Sequence, residues 1–259
     1  MSGFDVRGDF LRERCTGCGI CSRVCPVSAI VTGPGGRVES FSPICIGCGH
    51  CGAHCPGNCW DLEPLEDQGD MPLARCVDWL FASRRSVRVF GNGDLPDAVI
   101  DEILSPVGLS PTGHNDQGLR VTVVSGADRV RGKLVKPVLR LLSLVDCFRL
   151  VTLLSGKARP MVRRLRAGED LLAWGAPCVL FFNAPLNNVT GSADTVIAAA
   201  AVEMKARAMG LGTLWNGVLK ILSPLLGMGR SGAVLCVGYP AVRNRWKLPE
   251  RRWTRRQPG

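Results

Sequence analysis

Eight of the 13 cysteines fall between Cys15 and Cys55, and they fall there twice in one pattern. Cys15-Thr-Gly-Cys18-Gly-Ile-Cys21-Ser-Arg-Val-Cys25-Pro26 returns 30 residues later as Cys45-Ile-Gly-Cys48-Gly-His-Cys51-Gly-Ala-His-Cys55-Pro56, with every cysteine spacing kept. A secreted disulfide scaffold spreads its cysteines through the fold, whereas clustered thiols point to metal in a reducing compartment. The first residues, Met1-Ser-Gly-Phe-Asp5, lack the basic-then-apolar pattern of a signal peptide, so a cytoplasmic chain is expected.

Four thiolates hold one cubane iron–sulfur cluster. The spacing C-x2-C-x2-C-x3-C-P wraps three corners of one cluster and carries the fourth cysteine to the other. That assigns one cluster to Cys15, Cys18, Cys21 and Cys55, and a second to Cys45, Cys48, Cys51 and Cys25. Gly17, Gly19, Gly47 and Gly49 let backbone N–H groups approach the sulfurs. Zinc or disulfides are the bland alternatives, and two intact copies weigh against both. Over about residues 6–60 the segment resembles the bacterial two-[4Fe-4S] ferredoxin domain. Outside the motif, Cys59, Cys76, Cys147, Cys178 and Cys236 read as buried free thiols, and His50 and His54 as loop residues rather than ligands.

The chain has 259 residues, 46% hydrophobic and 21% charged, enough for one or two folded domains. Its net charge of +10 is uneven: residues 1–70 carry 5 Lys+Arg against 9 Asp+Glu, and residues 71–259 carry 27 against 13. A basic body calls for an anionic partner, with nucleic acid, a phosphate-bearing cofactor and an acidic protein all open. No membrane span is expected. The uncharged stretch Leu171–Ala193 is broken by Gly175, Pro177, Asn183, Pro185 and Asn187, and the Leu-rich residues 134–156 carry Lys136, Arg140, Asp146 and Arg149.

The acidic stretch Asp61–Asp70 reads as a linker, dividing the chain into residues 1–62, a linker 63–71, and a body 72–259. In the body, helices are expected over Pro72–Ser83, Pro96–Leu104, most of 127–172, and Ala193–Met209. Strands are expected over Leu119–Ser125, Pro177–Phe182 and Ala233–Gly238. Pro111–Gln117 reads as a polar loop, Gly210–Gly217 as a Gly-rich loop, and Tyr239–Gly259 as an irregular basic tail. Few strands among long helices suggest an α+β fold.

Three segments of the body carry candidate chemistry. Arg84-Arg85-Ser86-Val87-Arg88 puts three guanidinium groups and a hydroxyl within five residues, a donor set that matches phosphate oxygens. Pro111-Thr112-Gly113-His114-Asn115-Asp116-Gln117 offers small and amide side chains to a polar heterocycle. Met209-Gly210-Leu211-Gly212-Thr213-Leu214-Trp215-Asn216-Gly217 permits close backbone approach to a flat ligand. With Asp194-Thr195 and Gly238-Tyr239-Pro240, and in this order, these segments resemble the nitroreductase family of FMN flavoproteins over residues 75–259.

The resemblance implies an FMN-dependent oxidoreductase. Arg84, Arg85, Ser86 and Arg88 would bind the FMN phosphate and ribityl chain, with Arg251 as a further phosphate contact. Thr112, Gly113, His114, Asn115 and Gln117 would line the flavin site, and the backbone of Leu211, Gly212, Thr213 and Leu214 would approach the flavin edge. It further implies a homodimer with FMN at the interface and loops from both chains. Gly118 stands where the family often has Pro, and Trp215-Asn216 at a variable place, which bears on substrate shape. A ferredoxin head on a flavin body reads as a one-electron wire feeding a two-electron reductase. The donor would be ferredoxin or flavodoxin, and the acceptor a nitroaromatic, a quinone or an enone-like compound. The same fold also serves dehydrogenases and dehalogenases, with the clusters then accepting electrons. The tail from Arg243 to Arg256, seven basic residues with Trp246 and Trp253 interleaved, leaves single-stranded nucleic acid or an acidic donor protein as a lesser alternative.

Overall fold

The computed structural model describes residues 10–25, 27–45, 47, 49–53, 55–61, 73–144 and 168–241. They belong to two compact units: the first takes in the chain up to Met71 together with His114–Asp116, and the second Pro72–Gly113 and the chain from Gln117 onward.

In the first unit the internal repeat survives as geometry. A short helix sits inside each cysteine motif, α1 (Ile20–Val24) and α2 (His50–Ala53). Each starts after a left-handed glycine, Gly19 (φ 67°) or Gly49 (φ 73°), and Gly17 and Gly47 are left-handed as well. Between the motifs, β1 (Ile30–Thr32) and β2 (Val38–Phe41) pair antiparallel around a Gly-rich turn. Ile30, Val38 and Trp60 form a small core with the buried thiols Cys21, Cys51 and Cys59. Phe10 closes it, with its ring centroid 5.4 Å from Phe41 and 5.0 Å from Trp60. The Leu11 N–H donates to the Cys59 carbonyl at 2.7 Å and ties the ends of the unit together. A core this small is marginal without help, and metal binding is a usual source of it.

The second unit is built on a four-stranded antiparallel sheet in the order β3-β4-β6-β5. The strands are β3 (Arg120–Ser125), β4 (Cys178–Asn183), β5 (Gly212–Trp215) and β6 (Ser231–Gly238). The helices are α3 (Leu73–Ser83), α4 (Asp97–Leu104), α5 (Ala127–Val130), α6 (Lys136–Leu144), α7 (Gly191–Ala208) and α8 (Gly217–Leu222). Both faces of the sheet are covered. Leu180, Phe182, Leu235 and Val237 pack with Ile100 and Ile103 of α4 and Ala198, Ala199 and Val202 of α7. Val179, Phe181, Val234 and Cys236 pack on the other side with Val130 of α5, Val138 of α6 and Leu219 of α8. A central strand buried on both faces has no polar face to show, which is why β4 reads as an unbroken apolar run. Each fully buried Leu, Val or Phe contributes about 1.5–3 kcal/mol.

Three expectations need correction. Gly210–Gly217 is not a loop throughout: Gly212–Trp215 is β5, paired residue by residue with Gly238–Leu235 of β6. Glycine weakens intrinsic strand preference, but the exposed edge of β6 supplies hydrogen bonds that outweigh it. The helix expected over 127–172 continues from α5 through a π-helical turn at Arg131–Val135 into α6. It does not extend over 170–172, where the Asp170 carboxylate accepts the N–H groups of Leu172, Ala173 and Gly175 and holds a turn. Cys76 is exposed rather than buried, because α3 presents no buried residue, while Cys59, Cys178 and Cys236 are buried. Cys147, the linker beyond Asp61, and the tail with Arg251 lie outside the described residues.

Candidate functional site

The first unit contains a cavity lined by Cys15, Cys18, Cys21 and Cys55, together with Cys59 and Trp60. Cys55 comes from the second motif, and the chain crossing brings it to the three cysteines of the first. Hydrogen bonding opposes burial at Cys15. Burial alone would push its thiol up, but the Val38 and Gly17 backbone, the Arg37 charge and the Cys59 thiol outweigh it and hold Cys15 below its usual value. That favours the thiolate an iron ligand must be. Burial raises Cys21. Cys59 is pushed up to about 12, by burial first and then by its neighbours Cys55 and Cys15. Cys15, Cys18, Cys21 and Cys55 thus line one cavity, and four thiols are the donor set that a cubane takes. Cys25, Cys45 and Cys51 pack against the same core, and Cys48 and His54 lie outside the described residues. A backbone N–H approaches sulfur at two of these thiols, Ala29 to Cys25 at 3.2 Å and Gly47 to Cys45 at 3.5 Å.

The second unit contains a cavity of about 310 Å³ between the end of α3 and β5. Arg84, Arg85 and Arg207 line it with Ser83, Gly210, Leu211, Gly212 and Thr213. The basic turn is laid against the free edge of β5. Ser86 bridges Thr213 in parallel, and the Val87 N–H donates to the Thr213 carbonyl at 2.8 Å. Gly212 has no room for a side chain here: a Cβ would stand 2.6 Å from Val87 Cγ2. Beneath the turn lies Glu203 of α7, 3% exposed. Its carboxylate accepts from Thr213 Oγ1 at 3.1 Å and from Trp215 Nε1 at 2.9 Å, and stands 3.3 Å from Arg84 Nε. That last contact is Coulombic: the geometry is not that of a hydrogen bond, and Arg84 Nε is buried without one. Arg207 donates from Nε to Ser83 Oγ at 3.0 Å, and its guanidinium lies 4.7 Å from the Trp79 ring centroid. Three guanidinium groups around backbone glycines fit a phosphate-bearing ligand.

The nitroreductase family matches residues 81–253, well over half of the chain. The chain belongs to the nitroreductase family. A 4Fe-4S dicluster domain matches residues 10–56. No curated protein matches. The fold is similar to the FMN-dependent nitroreductase NfnB of Mycobacterium smegmatis in complex with NADPH, at 23% identity and TM-score 0.50, over 65% of this chain and 89% of that one. It is also similar to an FMN-dependent nitroreductase of Clostridium difficile R20291, at 17% identity and TM-score 0.53, over 71% and 98%. A third likeness is to iodotyrosine deiodinase bound to FMN and 3-iodo-L-tyrosine, at 20% identity and TM-score 0.51, over 70% and 97%. The expected α+β fold, the oxidoreductase class and the expected cofactors, two [4Fe-4S] clusters and FMN, agree with these matches. Among the described residues no helix is long and apolar enough to cross a membrane.

Not all the expected flavin contacts of this nitroreductase-family unit gather in the one cavity. Arg84, Arg85, Leu211, Gly212 and Thr213 do. Arg88 does not: its guanidinium lies 5.7 Å from the Trp174 ring centroid. Leu214 turns its side chain into the core on the far side of the sheet. The Thr112–Gln117 loop is anchored elsewhere, at the start of α7. The Gly113 N–H donates to the buried Asp194 carboxylate at 3.2 Å, and Asp194 also accepts from Asn188 Nδ2 and Thr190 Oγ1. Within the loop, the Gln117 N–H donates to Thr112 Oγ1 at 3.0 Å. His114, Asn115 and Gln117 are all left-handed, with φ of 53°, 57° and 44°. Three such non-glycine residues in four positions mark a loop held in shape at a cost, as binding loops often are. Glu203 and Arg207 escape a reading of the sequence. Each is one charge on a long helix, and only their spacing of four residues, placing both on one side of the last turns, hints at a shared role.

Proposed function

We propose that this nitroreductase-family oxidoreductase takes electrons from a low-potential donor, ferredoxin or flavodoxin, through two [4Fe-4S] clusters to FMN, and delivers them to a nitroaromatic, quinone or enone-like acceptor. The observation that carries the reading is the pair of sites on one chain. One is a cavity walled by the cysteines of a dicluster motif, the other a cavity walled by Arg84, Arg85 and Arg207. A bound flavin exchanges electrons singly or in pairs, whereas a [4Fe-4S] cluster exchanges them one at a time.

The chain's own residues divide the remaining work. Arg84, Arg85 and Arg207 hold the phosphate, while Ser86 and Arg88, next to them in the basic turn, lie outside the lining of the cavity. Glu203 fixes Arg84 from behind and pins β5 through Thr213 and Trp215. Gly210 and Gly212 leave backbone bare where a flat ring lies against it. Thr112, Gly113, His114, Asn115 and Gln117 line the opposite wall of the flavin site, and they come from a second copy of the chain. The reason is distance: Asp194, which holds the loop, and Arg207, in the basic cavity, are 13 residues apart on α7, roughly 20 Å at 1.5 Å per residue. The half-exposed Val196 and Ile197 of the same helix offer an apolar face for such a partner. Among the described residues that line the cavity there is no Asp, Glu or His, and water ranks above His114 as the source of the proton. The ligand sets, the homodimer and a cytoplasmic location all belong to this proposal.

An anaerobic visible spectrum with iron and flavin counts tests it. About eight irons and one FMN per chain are expected. Cys15→Ser and Cys45→Ser keep the flavin but lose its reduction by a ferredoxin donor. A colourless protein, or full NAD(P)H-driven turnover in those variants, overturns the wire.

A further inference from the structure

The internal repeat provides its own control. The same hydrogen bond follows the fourth cysteine of each motif: the Ser28 N–H donates to the Cys25 carbonyl at 3.3 Å, and the Asn58 N–H to the Cys55 carbonyl at 3.1 Å. Ser28 and Asn58 are both left-handed, with φ of 52° and 44°. The next residue is turned inward in both copies, and Ala29 and Cys59 are each 1% exposed. The two copies therefore present different chemistry at one equivalent position, a methyl group at Ala29 and a thiol at Cys59. The thiol lines the cavity of Cys15, Cys18, Cys21 and Cys55. It shares that cavity wall with Cys15 and Cys55.

We propose that Cys59 is a fifth thiol of the first cluster site, donating an S–H···S hydrogen bond to the sulfurs of Cys55 and Cys15 and so raising that cluster's reduction potential above that of the second. The proton stays on Cys59, a buried thiol, because a further thiolate there would add charge beside the four ligand sulfurs. A donor aimed at a ligand sulfur draws off electron density and favours the reduced, more negative cluster. No bond is made or broken when the electron arrives. The cluster held by Cys15, Cys18, Cys21 and Cys55 is thus reduced before the one held by Cys25, Cys45, Cys48 and Cys51. The inference rests on the cluster assignment proposed above.

The test is an EPR-monitored redox titration of the anaerobic holoprotein, with iron assays, on the unaltered chain and on Cys59→Ala, Cys59→Ser and Ala29→Cys. Cys59→Ala is expected to keep about eight irons and to shift the electron's partition between the clusters about tenfold toward the second, ~59 mV for one electron. Cys59→Ser keeps a donor and shifts it less. Ala29→Cys raises the second cluster instead, and reads the same effect even where a Cys59 variant assembles poorly. Unmoved potentials in Cys59→Ala or in Ala29→Cys overturn the proposal. So does loss of iron from Cys59→Ala with iron retained in Cys55→Ser, which makes Cys59 a ligand. Iron far below eight in the unaltered protein fails the cluster assignment itself, and eight irons with unmoved potentials fail this inference alone.

Discussion

The carboxylate of Glu203, buried on α7, stands 3.3 Å from the Nε of Arg84, the first residue of the basic turn. The same carboxylate accepts from Thr213 and Trp215 of β5. One buried acid thus fixes two walls of the cavity at once and leaves the outer nitrogens of Arg84 for a ligand.

Removing that acid leaves a guanidinium, a hydroxyl and an indole N–H without their partner. Glu203→Ala is expected to cost about 2 kcal/mol in urea unfolding and to weaken FMN binding by about tenfold in a fluorescence titration. Glu203→Gln, which keeps the shape and one acceptor, costs less on both counts. Unchanged FMN affinity in Glu203→Ala would show that the acid serves folding only.

Gly212 is a steric hinge between β5 and the basic turn. A methyl there meets Val87 Cγ2 at 2.6 Å, so Gly212→Ala pushes the turn off the strand. The expected loss is about 2 kcal/mol, with FMN retention falling alongside. Adding Val87→Ala removes the two γ-carbons but leaves the Val87 Cβ at 2.9 Å, so it recovers only part of both. A double-mutant cycle measures the coupling, and additive losses count against the contact.

If each flavin site takes its basic turn from one chain and its Thr112–Gln117 loop from the other, two defective variants can repair each other. Arg84→Ala and Asn115→Ala each bind little FMN alone. Refolded together at equal amounts, random pairing in a two-fold dimer restores about a quarter of the sites. No recovery on mixing favours a site built within one chain.

Burial pushes the thiols of Cys178 and Cys236 up to about 12 from the usual 9.0. The unfolded chain then loses these protons at lower pH than the folded one. Their contribution to stability is full below about pH 9 and is lost as pH rises toward 12. Urea unfolding at a series of pH values should show this decline, and Cys178→Ala should flatten it. The same two thiols resist alkylation at neutral pH, while the exposed Cys76 reacts.

The cysteine repeat was legible without coordinates because cluster ligation depends on spacing, and spacing is a property of the chain. The same holds for β4, whose apolar run Cys178–Phe182 announces a strand covered on both faces. Helices α3, α4 and α7 lie close to their expected bounds, since proline, capping residues and apolar periodicity are local signals. The cationic character of Arg84–Arg88 was also local, three guanidinium groups in five residues.

What the tertiary structure alone decided are the long-range partnerships. Gly212–Trp215 is a strand only because β6 offers an edge to pair with. Glu203 and Arg207 join the cavity because α7 carries them under a turn that lies over 100 residues earlier in sequence. Asp194 holds Gly113 across 81 residues for the same reason. Cys59 drops out of the spacing rule, yet the repeated turn after each fourth cysteine points it into the first cavity, where Ala29 marks the equivalent place in the other copy. Sequence fixes which groups a chain owns and their local conformation; folding, by burying α7 against the sheet and crossing the two motifs, decides which of those groups meet.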